Sequence, residues 1–187
     1  MKFPSILLQT CIETSQGPVW LAASPQGLAG LWFAGQKHLP AQLAIGPSWQ
    51  HADDHPVLQL AARQFKEYLA GQRQVFDVPL DLSSGSAFQQ SVWQALLDLP
   101  FGTTTSYGAL SERLGTPSAV RAVAAAVGRN PVSVLVPCHR VLGARGDLTG
   151  YAGGLERKAA LLRLEGTLTV SMADLPRSAP LFAEPSI

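Results

Sequence analysis

Cysteine is nearly absent from this chain: among 187 residues only Cys11 and Cys138 carry a thiol. Two cysteines do not make the dense disulfide framework of a small secreted domain, and in a reducing compartment they are read as free thiols. Long apolar runs are also missing, since no stretch approaches the roughly 20 residues of a membrane span. The opening Met1–Thr10 has one Lys and a short apolar patch, without the small-residue cleavage site of a secretory signal. A cytoplasmic protein is expected, with no membrane partner. Charge is sparse too, at 14% of residues and a net of +1, so bulk electrostatics select no class of partner. The distribution is more informative. Met1–Ala87 holds 5 Lys+Arg against 6 Asp+Glu, Phe88–Glu165 holds 8 against 5, and the remainder holds 1 against 2. The local sums are −1, +3 and −1, and the positive segment also contains Cys138.

What is present is a core. Hydrophobic residues make up 47% of the chain, ample for one domain or two small ones. In the first part, Ser5–Ile12, Val19–Ala23 and Gly27–Phe33 are short apolar runs parted by turn-forming Ser-Gln-Gly-Pro and Ser-Pro-Gln-Gly, which predicts a small antiparallel sheet. Ala34–Asp54 reads as loop. Val57, Leu60, Ala61, Phe65, Tyr68 and Leu69 recur at helical spacing with Gly71 just beyond. Val75–Leu82 is expected to be a further strand, and Ser83-Ser84-Gly85 a linker.

The second part reads as helices. Ser86 with Gln89 resembles a capping box, and Phe88, Val92, Trp93, Leu96 and Leu97 follow on one face. Ser106–Leu114, ended by Gly115, is the next expected helix, and Thr116-Pro117 resembles an N-cap with proline at the first helical position. Ser118–Gly128 completes a helix-turn-helix pattern or, equally, an ordinary buried helical hairpin. Its second helix is almost wholly small residues, with Arg121 its one charge, which suits a narrow groove better than base reading. Val132–Val136 is expected as a buried strand and Leu155–Glu165 as the last helix. The fold class is therefore α+β, with residues 1–84 a sheet-and-helix domain, 85–170 a mainly helical domain containing the helix-turn-helix, and 171–187 a proline-bearing tail expected to be disordered.

The chemistry concentrates in Val136-Pro-Cys138-His139-Arg140-Val141. A cysteine attacks as the thiolate, and cationic or hydrogen-bonding neighbours lower its pKa. His139 and Arg140 are expected to supply that setting. Adjacent residues of an extended chain point to opposite sides, so in an extended segment Cys138 and His139 are not expected to touch; a bridging water would still let His139 act, with Glu165 as its orienting carboxylate. A directly paired Cys–His hydrolase would need His38, His51 or His55. No metal is expected, because His51 and His55 with one early cysteine do not make a structural site.

The run Pro137–Val141 resembles the active-site signature of the O6-alkylguanine-DNA alkyltransferases. Phe88-Gln-Gln-Ser-Val-Trp93, Pro100-Phe-Gly, Ser106-Tyr107-Gly, Ala119-Val-Arg121-Ala-Val, Asn130-Pro131, Gly150-Tyr151-Ala-Gly-Gly154 and Lys158…Leu161-Leu162…Glu165 fall in that family's order and spacing, so the resemblance covers Phe88 to Gly166. It implies single-use transfer of an alkyl group from O6-alkylguanine, and from O4-alkylthymine, in double-stranded DNA to Cys138, with no cofactor. His139 and Glu165 would be the proton relay, Asn130 the brace of the active-site turn, and Arg121 the finger filling the gap left by a flipped base. Tyr107 would help expel the base and donate to its ring, and Ser118 and Ala119 would lie on the DNA surface. The carbonyls of Cys138 and Val141 and the N–H of Ala152 would meet guanine, Tyr151 and Gly153 would pack on it, and Lys158 would sit at the pocket edge. Ser133 stands where some members have proline, which is expected to widen the pocket. The implied partner is duplex DNA read from the minor groove with little sequence preference, by a monomer whose cooperativity on DNA is left open.

Overall fold

A computed structural model describes residue 3 and residues 7–44 and 49–168; the expected tail 171–187 lies outside them. The three predicted strands are present. β1 (Leu8–Ile12), β2 (Val19–Ser24) and β3 (Gly27–Phe33) form antiparallel pairs, Thr10 opposite Leu21 and Leu21 opposite Leu31. The stretch read as loop carries more order than expected: α1 (Ala41–Ala44) and β4 (Gln50–His51), which pairs parallel to β1. The sheet is thus mixed, in the order β3-β2-β1-β4. Two residues of strand with no alternation of their own leave no pattern to detect.

Every residue of β3 is buried, because the sheet is covered on both faces. Leu21, Leu31 and Phe33 enter the main core, whereas Ala22, Ala29 and Trp32 pack with Leu7, Leu43 and Trp49 on the other side. Trp32 folds back over Gly30, where any Cβ would overlap its ring. α2 (Pro56–Leu69) lies on the sheet and buries Ala61, Phe65 and Tyr68 of the predicted stripe together with Leu58, which the stripe omitted, while Val57, Leu60 and Leu69 are half-buried.

β3 is an edge strand, and an unpaired edge invites unwanted pairing. Two other segments cover it. Leu28 donates to Pro79 and accepts from Asp81, and Leu31 donates to Pro131 and accepts from Ser133, at 2.8–3.0 Å. Val75–Leu82, expected as a strand, makes only one isolated bridge there, between Leu80 and Leu28; Pro79 has no N–H to continue a ladder. Val132–Val136 is buried as expected but is not a strand, since Val134 turns it back at φ 73° and only isolated bridges form. Its apolar run reports burial rather than extension.

The second half supplies α3 (Ala87–Leu97), whose Ser86–Gln89 capping box closes both ways, and α4 (Tyr107–Arg113), capped by Ser106. Thr116 does not cap the next helix: its hydroxyl donates to Ser111 O, and Pro117–Ala119 forms a 3₁₀ turn before α5 (Val120–Gly128). β5 (Thr105–Ser106) pairs parallel with β6 (Val141–Leu142), and α6 (Leu155–Leu164) ends at the Glu165 C-cap. The main apolar core is continuous from Val19 and Tyr68 to Cys138 and Leu161. No helix among the described residues is long and apolar enough to cross a membrane.

Candidate active site around Cys138

Asn130 lies just past the Arg129 C-cap of α5 and organises the turn behind it. Its carbonyl accepts from Val132 N at 2.9 Å, and its amide donates to Val136 O at 2.8 Å and to Cys138 Sγ at 3.0 Å. With Val134 reversed, this clamp brings Cys138 back beside Asn130. Cys138–Arg140 is a 3₁₀ turn rather than a strand end.

The Cys138 thiol is 4% exposed. Burial pushes its pKa up, against the amide of Asn130 and the charge of Lys158, which pull it down. The expected activation by His139 and Arg140 is therefore corrected: the stabilising groups come from Asn130 and Lys158. Arg140 is committed elsewhere, its Nε and Nη2 holding the two oxygens of Glu165 at 2.9 and 2.8 Å while Nη1 donates to Leu99 O.

Glu165 gathers the site. Its Oε1 also meets His139 Nε2 at 2.9 Å and the Tyr68 hydroxyl at 2.7 Å, and Gly102 N approaches Oε2 at 3.5 Å. Burial would raise the carboxyl, but the bonds from His139, Arg140 and Tyr68 outweigh it and hold its pKa at about 2. Burial lowers the pKa of His139, so the imidazole is neutral. An ionised carboxylate only accepts, which places the ring proton on Nε2 and leaves Nδ1 as a buried acceptor with no partner among the described residues.

Lys158 is fully buried rather than at a pocket edge. Its ammonium donates to Val141 O at 2.5 Å and Thr149 O at 2.7 Å, and burial lowers its pKa to about 8 against the opposing pull of Cys138. It fastens the loop after Cys138 to the start of α6, and it already occupies the Val141 carbonyl. Ser133 is also buried, with its hydroxyl directed at Gln36 of the first half at 3.4 Å.

Beside this centre lies a cavity of about 340 Å³, lined by Tyr107, Ala124, Tyr151 and Ala152, with Lys37 and His38 closing one side. Tyr107 opens α4 and its hydroxyl donates to Gly150 O at 3.2 Å. Tyr151 is buried against Gly153, where a Cβ would stand 2.7 Å from its ring. Lys37 N donates to Ala152 O. Arg121 is exposed in the first turn of α5, and in the preceding 3₁₀ turn Ser118 is exposed and Ala119 half-buried. His51 pairs with Asp53 on the surface and His55 precedes α2. Among the described residues no group of three metal-ligating side chains assembles.

Residues 87–167 match the 6-O-methylguanine DNA methyltransferase DNA binding domain, and residues 7–82 its ribonuclease-like domain. The methylated-DNA–protein-cysteine methyltransferases of Mycobacterium tuberculosis and Methanosarcina acetivorans are 45% and 43% identical, over 82% and 83% of this chain and 89% and 96% of their own. The crystal structure of the M. tuberculosis O6-methylguanine methyltransferase superposes with a TM-score of 0.74 at 41% identity, over 89% of this chain and 98% of that one. The same organism's protein in complex with DNA superposes at 0.77, with 43% identity over 86% and 93%. The two matched domains and these relatives define a protein-cysteine methyltransferase, and the chain belongs to the 6-O-methylguanine DNA methyltransferase family, the methylated-DNA–protein-cysteine methyltransferases.

Sequence reasoning missed Tyr68 and Lys37, and considered His38 only as the partner a hydrolase would need. Tyr68, read as part of an apolar helical stripe, reaches Glu165 across 97 positions; a phenol within that stripe was the only local sign. Lys37 and His38 at the cavity rim lie in a stretch read as loop, and His38 adopts φ 61°, rare for a residue with a side chain.

Proposed function

We propose that this protein repairs DNA by direct reversal, taking the alkyl group of O6-alkylguanine, and of O4-alkylthymine, onto Cys138 once per molecule. The observation that carries the reading is the Cys138 thiol held at 3.0 Å by Asn130 and followed by a neutral His139 whose Nδ1 has no partner among the described residues. The thiol proton passes through a water to Nδ1, while Glu165 steadies the imidazolium that forms. The thiolate attacks the alkyl carbon in line, the carbon–oxygen bond breaks, and guanine leaves with the electron pair. Tyr107 donates a hydrogen bond as that charge develops, where stabilisation counts most. The product is a thioether that water does not displace, so the protein is consumed and needs no cofactor.

The target is buried in duplex DNA, so the nucleotide is flipped out at a cost of a few kcal/mol. α4 and α5 act as the helix-turn-helix. The exposed Ala122 and Ala125 of α5 let the helix approach the minor groove, and Arg121 fills the vacated stack. The flipped base enters the Tyr107–Tyr151 cavity. Residues 1–84 serve as the scaffold and 85–170 hold the chemistry and the DNA surface. A cysteine hydrolase fits less well, because the side chain bonded to Cys138 Sγ is Asn130, not a histidine.

Intact mass after mixing with duplex DNA containing one O6-methylguanine tests this reading. One methyl group per molecule on Cys138 is expected, and none in Cys138→Ala, which still binds the duplex. Turnover beyond one, or no gain with DNA bound, overturns it. Arg121→Ala is expected to slow repair of duplex far more than reaction with the free alkylguanine base; equal slowing removes its assigned role in flipping.

A further inference from the structure

Glu165 Oε1 is oversubscribed. Three donors converge on it: Tyr68 O–H at 2.7 Å, Arg140 Nη2 at 2.8 Å and His139 Nε2 at 2.9 Å. One carboxylate oxygen offers about two lone-pair sites, so each bond is made at some expense of the others. Arg140 and His139 follow Cys138 in the chain, whereas Tyr68 belongs to α2 in the other half of the molecule. Its placement is specific. The side chain is fully buried, and its ring is boxed by Phe76 at 5.4 Å and edge-on by Phe101 at 6.2 Å between centroids. A ring held on two sides aims its hydroxyl at one place. A purely structural tyrosine here could end in any acceptor; this one ends on the oxygen that faces His139.

We propose that Tyr68 is a positioning residue for alkyl transfer: its hydroxyl, delivered from the first half of the chain, fixes Glu165 and sets how strongly His139 draws the proton of Cys138. This rests on the transfer reading above. A donor taken from Oε1 frees lone-pair density for the His139 Nε2–H. That bond then strengthens, Nδ1 becomes more basic, and the thiol ionises at lower pH. A stronger donor at position 68 acts in the opposite sense. The other groups facing this pair are Arg140 from the same turn, Gly102 N from the loop after α3, and Lys158 from α6; all three stay in place when Tyr68 is changed, and Arg140 Nη2, which shares Oε1, takes part of the freed lone-pair density. The phenol itself stays protonated throughout, since burial and the neighbouring carboxylate push its pKa far up.

The experiment measures single-turnover transfer from duplex DNA with one O6-methylguanine across pH, for the wild type, Tyr68→Phe, and a protein with 3-fluorotyrosine placed at position 68. In Tyr68→Phe the midpoint of the profile is expected to fall by about one pH unit, the order set by one hydrogen bond to a charged group. In the fluorotyrosine protein, whose hydroxyl is a stronger donor, it rises. Duplex affinity is expected to be equal in all three. Opposite shifts are the mark of tuning, because a packing defect moves both variants the same way. Unchanged midpoints, or shifts of one sign, overturn the proposal. If Tyr68→Phe fails to fold, the fluorotyrosine protein keeps every bond and decides alone. Capture of Cys138 by iodoacetamide across pH, resolved by peptide mass, reads the same shifts without DNA. A wild type that gains no methyl group while its iodoacetamide midpoints still shift would therefore sink the transfer reading and leave the Tyr68 coupling standing.

Discussion

Glu165 is the buried anion on which Arg140, His139 and Tyr68 converge. Replacing it with Gln keeps the volume but leaves Arg140, whose side chain is 7% exposed, without a counter-charge. Breaking a buried pair on one side costs about 3–5 kcal/mol. Urea unfolding of Glu165→Gln is expected to show a loss of that order, and transfer to fall with it as His139 loses its anchor. A loss below about 1 kcal/mol would mean that the anion is dispensable to the fold. The pH dependence follows from the same residue. Its folded pKa, about 2, lies below the ordinary 4.5, so the native state binds fewer protons than the unfolded one between those values. The stability it contributes is fully present above about pH 4.5 and drains away as pH falls toward 2. Acid titration followed by circular dichroism is expected to show that part of the transition in wild type and to lack it in Glu165→Gln. Of these residues, Cys138, His139, Asn130 and Glu165 were legible in the sequence because short motifs and their spacing carry them. Arg140 was visible but given the wrong task, since nothing local shows that its guanidinium turns to a carboxylate 25 residues away.

At the level of elements, the sequence spoke clearly where one local rule governs and poorly where tertiary contacts do. The strands Val19–Ser24 and Gly27–Phe33, the stripe of α2 and the Ser86–Gln89 box were readable from periodicity and caps. Val75–Leu82 and Val132–Val136 were not, because the edge of β3 sets their conformation and Pro79 and Val134 interrupt it. Two substitutions test this division. Ser86→Ala removes one local cap and is expected to cost about 1 kcal/mol, read as a lower urea midpoint at unchanged slope. Gly27 instead serves a long-range contact. It adopts φ 151°, and a Cβ there would stand 2.5 Å from Pro79 O. Gly27→Ala is expected to cost more than the cap does, because backbone must move and the 79–81 segment must leave β3. If Gly27→Ala melts with or above Ser86→Ala, the edge cover is not what holds that segment.

Across the whole molecule, charge shows what the net of +1 conceals. Arg113 and Arg145 pair with Asp98 and Asp147, Arg140 with Glu165, and Arg157 and Lys158 spend their donors on backbone carbonyls. Arg121 and Arg129, at the two ends of α5, and Lys37 at the cavity rim make no ion pair among the described residues. The nine residues of α5 rise about 1.5 Å each, so its two arginines lie on the order of 12 Å apart, three to four nucleotides at 3.4 Å per step. Three cations without an ion pair among the described residues, around one cavity and one helix, fit a run of DNA phosphates. Each phosphate neutralised contributes about −0.9 to the slope of log K against log salt, which gives roughly −3 for the three. Duplex affinity measured by fluorescence anisotropy from low to physiological salt is expected to show that slope, and Arg121→Ala, Arg129→Ala and Lys37→Ala each to reduce it by about one. Lys66→Ala serves as the control: Lys66 is exposed on α2 beside a different groove, with Glu13, and its loss is expected to leave the slope alone. A slope near zero, or one that Lys66→Ala reduces as much as the other three do, would move the DNA surface away from α5 and the cavity rim.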